Sequence, residues 1–144
     1  MTTKSKQDPY RSFRFRLEID GLKFGQFSEV TGLQAETETE PYEEGGVNDF
    51  VHQLPKQTKY PRLTLKRGIT DLDELWGWYQ EVVQGTVKRL NGAIVLVDAN
   101  GEDRLRWNFF QAYPVKWIGP DFRADSNTVA FEAVELVHHG IKKG

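Results

Sequence analysis

Between residues 12 and 20 the chain alternates strictly: Phe13, Phe15, Leu17 and Ile19 are apolar, while Ser12, Arg14, Arg16, Glu18 and Asp20 are polar. A period of two predicts a strand with one buried face. Asp20-Gly21 supplies a turn, the segment to Val30 reads as the hairpin partner, and Gly25 marks a bulge within it. Thr31-Gly32 turns the chain again. Leu63 and Leu65 then face inward from a strand over 62–67, which Gly68 ends. After it the period changes: Leu72, Leu75, Trp76, Tyr79, Val82 and Val83 share a helical face about 120° wide at roughly 100° per residue. Thr70 and Asp73 form its start signal and Gly85 its C-terminal cap. This predicts one helix, roughly 20 Å long. Residues 87–97, apolar on both faces, turn at Asn100-Gly101 into the alternating Leu105, Trp107 and Phe109, a second hairpin. Pro114 predicts a break, with pairing resumed over 115–118. The last strand, 128–138, is apolar on both faces and so predicted to be central.

Two segments do not fit the pattern of a half-buried element. In QAETETE, Gln34, Glu36, Glu38 and Glu40 project to one side and Ala35, Thr37 and Thr39 to the other, giving a strand with an acidic face and a small-residue face. Residues 41–61 carry Gly45-Gly46, Pro55 and no sustained period, which predicts a long irregular excursion. Val47, Phe50, Val51 and Leu54 lie within it. Four apolar groups so close together imply that something covers them.

With 144 residues the chain is expected to form one domain, 1–144, preceded by a polar arm over 1–11. Its predicted class is mainly β: two packed antiparallel sheets, a sandwich or partial barrel, with one α-helix. The formal charge of −2 argues against a nucleic-acid binder, which needs a basic face to neutralise phosphates. With no cysteine, disulfides and thiolate chemistry are excluded, and assembly in a reducing cytoplasm is permitted. Lys4 and Lys6 are followed by no apolar run, so neither a signal peptide nor a membrane anchor is expected.

Candidate chemistry is sparse. His138 and His139 are adjacent on a predicted strand and point to opposite faces, which does not suit one metal ion, and His52 is remote in sequence. Asp71 and Asp73 resemble the start of a calcium loop, but Trp76 stands where the sharp turn needs glycine, so a helix start is the better reading. None of the four serines lies in a nucleophile elbow, and no phosphate-cradling loop is present. No catalytic residue, cofactor or metal is therefore expected. The aromatic and basic run RLRWNFFQAYPVKW reads as a strand with one buried aromatic face rather than a base-stacking platform. Glu132 and Glu135 interrupt an apolar strand and need partners, the eligible ones being Arg62, Lys66, Arg104 and Arg106.

The block GGVNDFVHQLPKQTKYPRLTLKRG, Gly45 to Gly68, resembles a signature of the tail tube proteins of contractile-tail phages and related injection systems. The resemblance extends to FRFRLEIDGLKFGQFSEVTGLQAETE upstream, and to DLDELWGWYQEV, RWNFFQAYPVKWIGPDFRADSNTVAFEAVEL and HHG downstream. It implies a structural subunit of an inner tube. Six-membered rings would close a β-barrel lumen and stack into a hollow tube, which a sheath drives through a target envelope. On this resemblance the segment 43–61 is an extended inter-subunit loop, with the interface on Gly46, Val47, Asn48, Asp49, Phe50 and Val51, and Gln34, Glu36, Glu38 and Glu40 are candidates for the lumen. The implied partners are further copies of the chain, sheath, baseplate or spike and tube-terminating cap proteins, and luminal cargo or DNA without sequence-specific recognition. The implied setting is assembly in a bacterial cytoplasm into a phage tail or an extracellular or cell-associated particle. The alternatives are a type VI secretion tube subunit, a monomeric ligand-binding β-barrel, and a hydrolase using paired glutamates.

Overall fold

The computed structural model describes residues 13–20, 22–42, 45, 51–69, 74–122, 124 and 130–144. In chain order the elements are β1 (Arg14–Ile19), β2 (Leu22–Phe27), β3 (Glu29–Thr31), β4 (Glu36–Tyr42), β5 (His52–Lys59), β6 (Leu63–Gly68), α1 (Glu74–Val83), β7 (Leu90–Val97), β8 (Asp103–Ile118), β9 (Phe131–Val137) and β10 (Ile141–Lys143). All ladders are antiparallel. One sheet of eight strands runs β2-β1-β7-β8-β9-β6-β3, with β10 on β8, and β4 and β5 pair only with each other.

The first hairpin forms, but its second strand ends at Phe27 rather than Val30: β3 pairs with β6 instead, Val30 opposite Leu65. β1 pairs with β2, and the register slips between Leu17 and Glu18, opposite Gly25 at φ 127°. Leu17, Ile19 and Phe27 are buried. β9 lies inside the sheet between β8 and β6, as its two apolar faces require.

β8 departs from expectation. Pro114 does not break it: the strand runs unbroken from Asp103 to Ile118. It bends instead, with Gln111 at φ 55° and a register shift between Pro114 and Lys116. Its first half pairs with β7 and β10, its second with β9. Proline is tolerated in a strand at such an irregularity because no ladder bond is demanded of its missing N–H. The predicted two packed antiparallel sheets are present, joined through β8 into one folded sheet.

Its two halves enclose one core, in which Leu17, Phe27 and Ile94 meet Leu63, Leu65, Val134 and Leu136 across Phe109. Among the described residues the body is a partial barrel that does not close: no ladder joins its end strands β2 and β3, although β2 approaches β6. Phe27 and Phe109 fill its interior, at 1% and 0% exposure.

α1 packs on β8. Its described part, Glu74–Val83, is 10 residues, about 15 Å at 1.5 Å per residue. The start signal at Thr70 and Asp73, with Leu72, lies outside the described residues. Leu75 and Trp78 are its buried residues, whereas Val83 is 59% exposed and Trp76 42%. The buried stripe is therefore rotated from the predicted one toward Trp78. Trp76 still makes an edge-on contact with Trp117 of β8, ring centroids 4.7 Å apart. Gly85, at φ 91°, caps the helix: its N–H donates to the Val82 carbonyl and that of Thr86 to the Glu81 carbonyl. That pair of bonds satisfies carbonyls the helix would otherwise leave open.

The segment 43–61 is the largest correction. Residues 52–59 form a regular strand, β5, paired with β4 from Glu36↔Lys59 to Tyr42↔His52 with a shift between Thr37 and Thr39. Periodicity does not reveal it because the alternation of a strand records one buried face, and seven of the eight residues of β5 are exposed.

Candidate assembly surface

The β4–β5 ribbon is the part of the described fold that the body does not explain. A lone two-stranded hairpin is at best marginally stable in water. This one carries Tyr42, Val51 and Leu54 at 50, 45 and 46% exposure. Cross-strand contacts hold it: Thr37 and Thr58 share a hydroxyl hydrogen bond of 2.9 Å, and Lys59 pairs with Glu38. The hydrogen bond from Lys59 to Glu38, and the charge of that carboxylate, raise the lysine pKa above its ordinary value.

Of the lumen candidates, Glu36, Glu38 and Glu40 lie in β4 and so share one side of the ribbon, while Gln34 precedes the strand. The side bearing Thr37 and Thr39 is no core-facing surface, since both threonines are exposed. Of the interface candidates, Val51 is exposed immediately before β5. Gly46, Val47, Asn48, Asp49 and Phe50 lie outside the described residues.

The ribbon is fastened at its root. Gly32, at φ 97°, leads from β3 toward β4 so close to the returning chain that a Cβ there would lie 2.0 Å from the Arg62 carbonyl oxygen. On the returning side, His138 places Nε2 3.1 Å from the Pro61 carbonyl oxygen, and its Nδ1 accepts the Gly140 N–H at 3.1 Å. The Tyr60 ring packs against the same imidazole, centroids 5.6 Å apart. His139 faces elsewhere, with Nε2 3.3 Å from Nη1 of Arg89.

A second surface feature is the outer face of β1, β7 and β8. Ala93, Val95 and Val97 form a small buried cluster there. Their ladder partners on β1 are Glu18, Arg16 and Arg14, and Arg106 stands opposite Val95 on β8. Arg16 spans Glu18 at 2.7 Å and Asp103 at 2.8 Å, and Arg106 approaches Glu18 to 3.2 Å. The bonds to Asp103 do most to raise the Arg16 pKa, against the opposing effect of burial. For Glu18, burial pushes the pKa up, but hydrogen bonds from Arg16 and Arg106 and their charges outweigh it and hold it below its ordinary value. The alternating pattern marks Arg16 and Glu18 as outward residues without indicating that they lie flat in a network.

Inside the barrel, Glu132 has a partner the sequence does not single out. Nε of Arg67 donates to it at 2.9 Å, and the Trp117 indole N–H donates to its other oxygen at 3.2 Å. Arg67 and Glu132 are each 5% exposed. Only the register Arg67↔Glu132 between β6 and β9 brings them together. Of the eligible cations, Arg62 pairs with Glu135 at 3.4 Å, Lys66 lies 4.0 Å from Glu29, Arg104 bonds Asp98 and Arg106 bonds Glu18. Among the described residues no group of three or more histidine, aspartate or glutamate side chains could hold a metal ion, and no helix is long and apolar enough to cross a membrane.

The described fold is a partial antiparallel barrel bearing a separate two-stranded ribbon with exposed apolar groups. The family model of the T4-like virus tail tube protein gp19 matches residues 11–142, and the chain belongs to that tail tube family. The fold is shared with a chain in the sheath-tube complex of the PVC extracellular contractile injection system in its extended state, at 25% identity and TM-score 0.82, covering 99% of each chain. A chain in the tube-terminating cap of the anti-feeding prophage is similar at 23% identity and TM-score 0.82, over 99% of this chain and 95% of that one. Hcp1 from Salmonella typhimurium is more distant, at 14% identity and TM-score 0.58, with 91% of each chain covered. A comparison with curated protein sequences finds no match.

Proposed function

We propose that the protein is the structural subunit of the inner tube of a phage tail or phage-like contractile injection particle. Six copies form a ring, rings stack into a hollow tube, and the tube is driven by a sheath and conducts cargo. The observation that carries this reading is the family match over 11–142 of a chain whose fold leaves Tyr42, Val51 and Leu54 exposed on and beside its ribbon. Its partners are then further copies of itself, and the sheath, baseplate and cap proteins with which its structural neighbours were solved. Assembly in a bacterial cytoplasm fits the absence of cysteine. The greater similarity to the PVC chain than to Hcp1 favours the extracellular injection branch over a type VI secretion tube.

In this reading the ribbon and the segment 46–51 meet neighbouring subunits, and Gln34, Glu36, Glu38 and Glu40 line the bore. Ring closure also satisfies strand edges that would otherwise template disordered association. Phe50→Ala tests the interface. Truncating an aromatic anchor at an interface typically costs about 2 to 4 kcal/mol, and the core lies elsewhere. Light scattering is expected to show large assemblies for the unsubstituted chain and none for the variant, with the β-rich circular dichroism unchanged. An unfolded variant would place Phe50 in the core, and a strictly monomeric parent protein would overturn the tube reading itself.

A further inference from the structure

The ribbon is a lever. Its eight-residue strand β5 is about 27 Å long at roughly 3.4 Å per residue, so a root rotation of about 10° displaces the tip by nearly one inter-strand spacing. Contacts made by the ribbon with another molecule can therefore be in register only if its root is stiff. Among the described residues no ladder joins the ribbon to the larger sheet, so the connections carry its stiffness there.

The HHG corner after β9 supplies it. The Gly140 N–H can only donate, so Nδ1 of His138 accepts and the ring proton sits on Nε2, aimed at the Pro61 carbonyl. The tautomer is assigned by these partners. One imidazole thus ties the returning connection of the ribbon to the corner between β9 and β10. Tyr60 reinforces the tie, its ring lying beside Gly140, whose φ of 152° favours glycine at the turn. That corner is itself anchored to β8 by the bond from the His139 N–H to the Phe110 carbonyl and the bond from the Phe110 N–H to the Gly140 carbonyl.

We propose that His138 is a positioning residue for assembly, its two ring nitrogens fixing the direction in which the β4–β5 ribbon leaves the body. The consequence for assembly rests on the tube reading, whereas the clasp does not. Because the chain has no cysteine, spin labels can be placed cleanly at Gln57→Cys on the ribbon and Glu102→Cys on the body. His138→Phe keeps a ring against Tyr60 and removes both hydrogen bonds. His138→Gln reaches the Pro61 carbonyl, and His138→Asn retains only an acceptor near the Nδ1 position. Pulsed dipolar spectroscopy of sparsely labelled protein is expected to give one narrow distance for the parent and for the Gln variant. The Phe variant is expected to give a broad distribution while the thermal transition of the body is retained. The concentration at which assemblies appear should rise roughly tenfold for Phe, the factor that one or two net hydrogen bonds carry, with Gln recovering most of it. A narrow distribution in all three variants, whatever their stability, would overturn the proposal. So would a broad one with an unchanged assembly threshold. If the parent never assembles, the tube reading fails and the distance measurement still decides the clasp.

Discussion

Arg67 and Glu132 illustrate what residue-scale reasoning can and cannot obtain from sequence. A carboxylate in an apolar strand announces that it needs a partner, and Glu132 has one. The partner's identity is not legible, because it depends on the register between β6 and β9, strands separated by more than 60 residues. Removing one member of a buried pair leaves the other uncompensated, at about 3 to 5 kcal/mol. Arg67→Met should therefore lower the denaturation midpoint sharply, and the added change Glu132→Gln should recover much of the loss. A single variant as stable as its parent would mean that water reaches the site. Glu18 carries a pH signature. Its pKa is lowered in the folded protein, so its contribution is present above the unfolded carboxylate value of about 4.3 and is lost as pH falls through the lower folded value. Asp98, held down by the Glu102 N–H, by Arg104 and by the Asn100 N–H, acts in the same sense. Glu18→Gln should lower stability at neutral pH and flatten the acid limb of the stability curve. An unchanged acid limb would show that Glu18 gains nothing from Arg16 and Arg106.

At the scale of elements, legibility follows burial. β1, β6 and β9 present faces to the core, and alternation or sustained apolarity locates them. β5 is not legible because seven of its eight residues are exposed among the described residues, so neither face leaves an apolar alternation. Pro114 misled in the opposite direction, since a bend at Gln111 accommodates a proline that a straight central strand would reject. The acidic side of β4 was legible as a pattern, though its surroundings were not. With Glu36, Glu38 and Glu40 toward the bore, six copies concentrate negative charge in a narrow channel, where the field is stronger than on an open surface. Like-charge repulsion then opposes ring closure at low salt. Replacing all three by Gln should preserve assemblies, make their formation less dependent on salt and increase retention of a fluorescent polyanion. Unaltered salt dependence and retention would place the strip outside the channel.

At the scale of the molecule, the described residues form a partial barrel with one appendage whose β4 and β5 pair only with each other. Heterologous contacts of that kind close into rings when the rotation per copy permits and otherwise extend into filaments. The class of fold and the family were both legible in the sequence, because they rest on many positions spread over nearly all of its length. The geometry by which copies meet was not, since it belongs to surfaces whose partners lie outside the chain. Electron microscopy of the purified protein alone tests the central claim most directly. Rings with six-fold symmetry and a central hole, or tubes built by stacking them, are the predicted result. Single particles of monomer size at concentrations well above those of an assembling particle, or closed assemblies without a bore, would contradict it.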